Sequence, residues 1–197
     1  MINLKVFSNF SLGESILKPP QIVDLAIKNQ QKAVAMIDRM HMFGVLEFCV
    51  YAIKKKIKPL VGCLLKIKDY GYIPVYIKNS EGYRFISKLL TKFYMEQKEY
   101  ISITELISTK DLIVLWGGEE IQFHDEQEAK MKTSFLKEVF GNNFYIDIQN
   151  TPHKNLFLKL ALDLQVPIVY THNTFFEKGS FEAYYTFSCM LNGKIYF

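Results

Sequence analysis

Strand-sized apolar runs alternate with helix-like segments along the whole chain, and this alternation restricts the fold more than any other feature. The first run spans residues 2–7, and a helix opened by Pro19 and Pro20 is predicted to about residue 30. A buried strand at 33–37 precedes an amphipathic helix over 43–56 that ends in lysines, which suit a helix C-terminus. Strands at 60–67 and 72–78 read as a hairpin across Asp69-Tyr70-Gly71. Ser80 reads as the N-cap of a helix to about residue 93, and Ser102-Ile-Thr-Glu105 has capping-box spacing. The pattern continues with a strand at 111–116, a helix at 125–140 stopped by Gly141, and a strand at 143–149. A helix capped by Thr151-Pro152 runs to about residue 164, a strand spans 166–171, and a last helix over 180–191 is closed by Gly193. The expectation is a largely parallel sheet covered by helices. Seven such strands suit a barrel, and periodicity alone suits an open doubly wound sheet equally. No repeat, low-complexity tract or long linker marks a second domain, so residues 1–197 are read as one domain.

The composition excludes several classes. Hydrophobic content of 49% and aromatic content of 15% belong to a folded globule rather than a disordered tail. No apolar run approaches the ~18 residues of a membrane helix. The chain enters its first strand without a signal-peptide h-region, so a cytoplasmic protein is expected. Cys49, Cys63 and Cys189 are far apart and lack CxxC spacing, which argues against a disulfide framework or a zinc ribbon. The net charge is only +4, and Arg39 and Arg84 are the sole arginines, which weighs against sequence-specific reading of nucleic acid.

In parallel α/β folds, sites gather at the C-terminal ends of strands. Those ends hold Phe7-Ser8-Asn9, Asp38-Arg39-Met40-His41, Cys63-Leu64, Gly117-Gly118-Glu119-Glu120 and Thr171-His172-Asn173-Thr174. None of the four histidines forms HxH or HExxH. His124 and His153 read as surface residues at helix starts. His41, His172 and Asp38 make the minimal set that could hold a catalytic metal, against the plainer reading of polar residues on loops. Gly117-Gly118 reads as a turn, because Glu119 and Glu120 would repel a phosphate. Ser8 and Ser11 lack a GxSxG context. The cluster Lys54-Lys-Lys-Ile-Lys58 is readable as a helix C-terminus or as a non-specific DNA patch.

Several ordered motifs carry a resemblance. They are Asn3-Leu-Lys-Val-Phe-Ser-Asn-Phe-Ser-Leu12, Phe43-Gly44 with Glu47-Phe48, Ile57-Lys-Pro-Leu-Val-Gly-Cys63 and Lys78-Asn-Ser-Glu-Gly-Tyr-Arg84. Leu112-Ile-Val-Leu-Trp-Gly-Gly118, Phe144-Tyr-Ile-Asp-Ile-Gln149, Pro167-Ile-Val-Tyr-Thr171 and the ending Ser188-Cys-Met-Leu with Gly193 follow in order. Together they resemble the PHP (polymerase and histidinol phosphatase) domain at the N-terminus of the bacterial DNA polymerase III alpha subunit. The resemblance implies an α/β fold, a distorted seven-stranded (β/α) barrel, forming the N-terminal domain of a longer DNA-directed DNA polymerase, a nucleotidyltransferase. The polymerase's own acidic residues lie beyond such a domain, so this chain is not expected to polymerise DNA. Contact with DNA is expected only through the parent polymerase.

The departures from that family matter as much. Metal-bearing relatives have His-x-His-Ser at the first strand end, where this chain has Lys5-Val6-Phe7-Ser8. They have Asp-His at the second, where Asp38 is followed by Arg39; glutamate after Gly-Cys, where Leu64 stands; and Asp-x-His near the last, where Asn173-Thr174-Phe175 stands. Phe and Leu cannot ligate, and protonated Lys and Arg have no lone pair to give. The expectation is a degenerate pocket of Lys5, Phe7, Asp38, Arg39, Leu64, Asn173 and Phe175, with no catalytic residue, no metal ligand and no cofactor. Asp38 is expected to pair with Lys5 or Arg39, the cation standing in for the metal's charge. The resemblance implies a structural role among the polymerase III holoenzyme subunits, docking the proofreading exonuclease. The alternative is a free-standing metal-dependent phosphoesterase with a reduced site at Asp38, His41 and His172.

Overall fold

The computed structural model describes residues 2–191. In chain order these form α1 (Pro19–Lys28), β1 (Ala33–Arg39), α2 (Val45–Lys54), β2 (Lys58–Ile67), β3 (Gly71–Ile77), α3 (Ser80–Met95), α4 (Ile103–Leu106), β4 (Leu112–Trp116), α5 (Glu126–Phe140), β5 (Phe144–Ile148), α6 (Lys154–Asp163), β6 (Ile168–Tyr170) and α7 (Phe181–Leu191). The strands neighbour one another in chain order, β1-β2-β3-β4-β5-β6. The α/β class holds, but the described residues carry six strands where seven are expected. The missing one is residues 2–7, an extended segment reduced to a bridge between Val6 and Thr174. The Gly193 expected to close α7 lies outside the described residues.

The chain divides into two compact units, residues 1–62 with 172–197, and residues 63–171. Strand β2 crosses the boundary. In the first unit, the extended segment 3–7 is bonded on both sides. Ala35 and Ile37 of β1 donate to the carbonyls of Asn3 (3.2 Å) and Val6 (2.9 Å), and Phe7 donates to Thr174 (3.0 Å). Pro19 and Pro20 open α1, where the first turn has no intrahelical acceptor for an N–H that proline lacks. Ile22, Val23 and Ala26 of α1, Val34 and Met36 of β1, and Val45, Phe48 and Ala52 of α2 close one apolar core with Val6 and Leu17.

The second unit is mixed rather than largely parallel. β3 runs antiparallel to β4 with Val75 opposite Val114, whereas β4, β5 and β6 are parallel. The connection from β3 to β4 carries α3 and α4, whereas β2 and β3 are joined by a tight turn. Gly71 is required at that turn: its φ is +79°, and a Cβ there would stand 2.4 Å from the Glu120 carbonyl oxygen. The helix caps are local. Asn79, not the neighbouring Ser80, caps α3, its side chain accepting from Glu81 and Gly82, both at 3.0 Å. The predicted capping box is present at α4, where Ser102 Oγ accepts from Thr104 (3.2 Å) and Glu105 Oε2 accepts from Ser102 (3.1 Å). Asp125 caps α5 by accepting from Glu128 at 2.8 Å.

Candidate functional site

Strand β1 ends on the one acid that the sequence comparison retains. Its run Ala33-Val-Ala-Met-Ile37 is apolar and buried, and Asp38 follows, still buried. A buried carboxylate must be compensated, and here hydroxyls supply the donors. Ser8 donates through its backbone N–H to Oδ1 (2.8 Å) and through its hydroxyl to Oδ2 (2.7 Å). Ser11 donates its hydroxyl to Oδ1 at 2.8 Å. Ser15 completes the serine-rich loop by donating to the carbonyls of Phe7 (2.7 Å) and Phe175 (2.9 Å).

Of the two cations expected beside Asp38, Arg39 engages a different carboxylate. Arg39 forks onto Glu14, Nε to Oε1 at 2.5 Å and Nη2 to Oε2 at 3.1 Å. Lys5 is buried, and its backbone carbonyl accepts from Thr174 at 2.9 Å. The fold meets the carboxylate with neutral donors and spends Arg39 on a second carboxylate.

Met40, at φ +60°, turns the chain out of β1 into His41. The His41 ring stacks on Phe43 with centroids 4.6 Å apart and planes within 5°. Burial pushes the His41 pKa below its usual 6.5, and the charges of Asp38 and Glu14 partly oppose that shift. Burial thus favours the neutral ring. His172 is exposed on the segment after β6.

The expected pocket residues divide between the two units. Phe7 and Phe175 do meet, with ring centroids 4.8 Å apart. Phe175 continues into a stack with Tyr184 of α7 at 6.2 Å. Asn173 is half-buried beside them in sequence. Leu64 is buried and belongs to the second unit.

The second unit holds a polar network that motif reading missed. Asp147 lies in the apolar strand β5 and is buried. Thr171 Oγ1 donates to its Oδ1 at 2.6 Å, Gln149 Nε2 donates to Thr171 Oγ1 at 2.8 Å, and Gln149 Oε1 accepts from the Glu119 N–H at 2.9 Å. These residues stand at the C-terminal ends of β4, β5 and β6, where parallel sheets place their sites. Burial, and then the charge of Asp147, hold the Tyr76 phenol well above its usual pKa. The available signal was a lone aspartate interrupting an otherwise apolar strand.

The arrangement does not fit a catalytic metal. Among the described residues no group of three or more His, Cys, Asp or Glu side chains could hold an ion. Asp38, His41 and His172 are therefore not the reduced site considered above, and the Asp38 oxygens are already engaged by three donors. No helix among the described residues is long and apolar enough to cross a membrane.

The PHP domain model matches residues 3–151, and the chain belongs to that family. The DNA polymerase III subunit alpha of Rickettsia felis is 28% identical over 98% of this chain and 18% of its own length. The subunit of Rickettsia bellii is 30% identical over 91% of the chain and 17% of its own length, and that of Haemophilus influenzae 28% over 93% and 18%. The chain thus spans less than a fifth of these relatives. Among solved structures, an amidohydrolase from Chromobacterium violaceum superposes with a TM-score of 0.58 at 12% identity, covering 88% of this chain and 87% of that one. A protein of Bifidobacterium adolescentis assigned as a metal-dependent phosphoesterase gives 0.62 at 13% identity, covering 89% and 87%. These two likenesses concern the fold.

Proposed function

We propose that the chain serves as the N-terminal PHP domain of a replicative DNA polymerase III alpha subunit, in the cytoplasm, with a degenerate metal site and a structural, partner-docking role toward the proofreading exonuclease. What supports the polymerase context is the similarity to polymerase III alpha subunits along nearly the whole chain. The observation that carries the non-catalytic part is Asp38 accepting three hydrogen bonds from Ser8 and Ser11. A metal-activated hydroxide needs open ligand lone pairs and an open coordination position. A carboxylate already accepting three hydrogen bonds, next to Phe7 and Arg39, offers few.

The test joins three measurements on the purified chain. Metal content after dialysis against manganese or zinc is expected to stay below one ion per chain. Phosphomonoester hydrolysis is expected to stay at background with either metal. The exonuclease subunit of the same organism is expected to co-elute with the chain in gel filtration. A stoichiometric metal with metal-stimulated hydrolysis would restore the phosphoesterase reading, and failure to co-elute would remove the docking role.

A further inference from the structure

Helix α2 carries large apolar side chains on its exposed side as well as on its buried one. Val45, Phe48 and Ala52 face the core of the first unit. On the opposite side Leu46 is 77% exposed, Val50 59% and Ile53 68%, and Phe43, two residues before the helix, is 72% exposed. Clustered large apolar side chains left exposed mark a surface that binds something. The spacing 43, 46, 50, 53 is three, four, three, the interval that keeps one seam facing a partner helix. Leu12 is also largely exposed, and Phe10 lies against the start of α2 at Gly44.

The stripe runs into positive charge. Lys54, Lys55, Lys56 and Lys58 are all exposed at the C-terminal end of α2. Among the described residues none of them is paired with a carboxylate; Lys55 instead sits over the Tyr51 ring, 5.4 Å from its centroid. The nearby acid Asp24 accepts from the Tyr51 hydroxyl. The single acid on the exposed face is Glu47.

We infer that the exposed face of α2 is a docking surface for an amphipathic helical segment of another protein, with apolar anchors at i, i+3, i+7 and an acidic end that meets Lys54–Lys58. The anchors bury the stripe, and the acids neutralise lysines that pair with no carboxylate among the described residues. A second copy of the chain fits less well. An α2–α2 pairing would offer only one glutamate per copy to the lysine cluster. Four side chains along about 15 Å also fall short of the ~800 Å² per partner of a stable interface. A single docked helix needs no more than this stripe. The inference rests on α2 alone and stands or falls apart from the polymerase reading.

The experiment is a selection of the whole chain against a displayed library of 16-residue helices with apolar a and d positions and randomised flanks. Selected peptides are then titrated by fluorescence anisotropy. Enrichment of Asp and Glu at one end, with binding weakened at least tenfold by Leu46→Asp, by Val50→Asp and by the triple change Lys54→Glu/Lys55→Glu/Lys56→Glu, is the expected result. Both apolar positions are more than half exposed, so these variants keep the fold, which circular dichroism checks. No enrichment over the Leu46→Asp chain, or enrichment without acidic bias, overturns the inference. So does concentration-dependent dimerisation that Leu46→Asp abolishes, or sedimentation with anionic phosphatidylserine vesicles when no peptide is selected.

Discussion

Asp38 is the residue on which the first unit turns. It accepts from the Ser8 N–H, the Ser8 hydroxyl and the Ser11 hydroxyl while buried. Asp38→Ala leaves all three donors without their acceptor in a low-dielectric site, and hydrogen bonds to a charged group are the costly ones to break. A loss of about 3–5 kcal/mol in urea unfolding is expected, with Asp38→Asn losing about half of that because one carbonyl oxygen remains. A variant within about 1 kcal/mol of the parent would show that the serines find other acceptors. His41 gives an independent readout. Its folded pKa lies below 6.5 because of burial, so the folded chain binds fewer protons than the unfolded one just below that pH. Its contribution is present above about 6.5 and is lost as the pH falls toward the folded value. Removing the Asp38 charge in Asp38→Asn lowers the His41 midpoint further, which an NMR titration reads directly. The retained aspartate was legible in the sequence. Its partners were not, because Ser8 and Ser11 lie thirty and twenty-seven residues away and serine carries no motif that announces such a contact.

At the scale of elements, the short helix α4 shows what local chemistry can and cannot announce. The Ser102–Glu105 capping box is readable because both partners sit within four residues. That Glu105 also receives Lys92 of α3 at 2.8 Å and Lys98 at 3.1 Å is a tertiary fact and was not readable. The Lys92 contact first, then the Ser102 N–H and Lys98, lower the Glu105 pKa from 4.5 to about 2. A carboxylate with a depressed folded pKa contributes stability above its unfolded value and loses it as the pH falls through the folded one. Glu105→Gln is therefore expected to cost about 1 kcal/mol at pH 7. The difference from the parent should shrink below pH 4.5 and vanish near pH 2, as denaturant titrations at several pH values would show. A gap that persists at pH 2 would assign the effect to packing instead. The same contrast explains the strands. β1, β4 and β5 are rich in buried apolar residues and were found within two residues, whereas residues 2–7 form a single bridge because pairing depends on Thr174, far along the chain.

At the scale of the whole molecule, the α/β class followed from alternation, while the division into two units did not, because β2 continues through the boundary as one apolar strand. Charge sets what the surface can do. Both arginines are already engaged, Arg39 on Glu14 and Arg84 on Glu81, which removes the side chains best suited to bidentate phosphate contacts. With 24 basic and 20 acidic residues, the excess of positive charge is small, and the one dense cluster is Lys54–Lys58. Four lysines neutralise at most four phosphates, so the log–log dependence of duplex binding on salt should be no steeper than about −4, with affinity gone by roughly 200 mM salt. A steeper slope, or preference for one sequence over another, would mean that a larger basic surface reads DNA directly. The apolar stripe separates this weak contact from the docking inferred above. Leu46→Asp removes an anchor and no cation, so it should abolish peptide capture while shifting the DNA salt slope by less than about one phosphate. Replacing Lys54, Lys55 and Lys56 by glutamate should weaken both. Salt-dependent gel shifts of the two variants side by side distinguish a surface that binds any polyanion from one built for a helix with an acidic end.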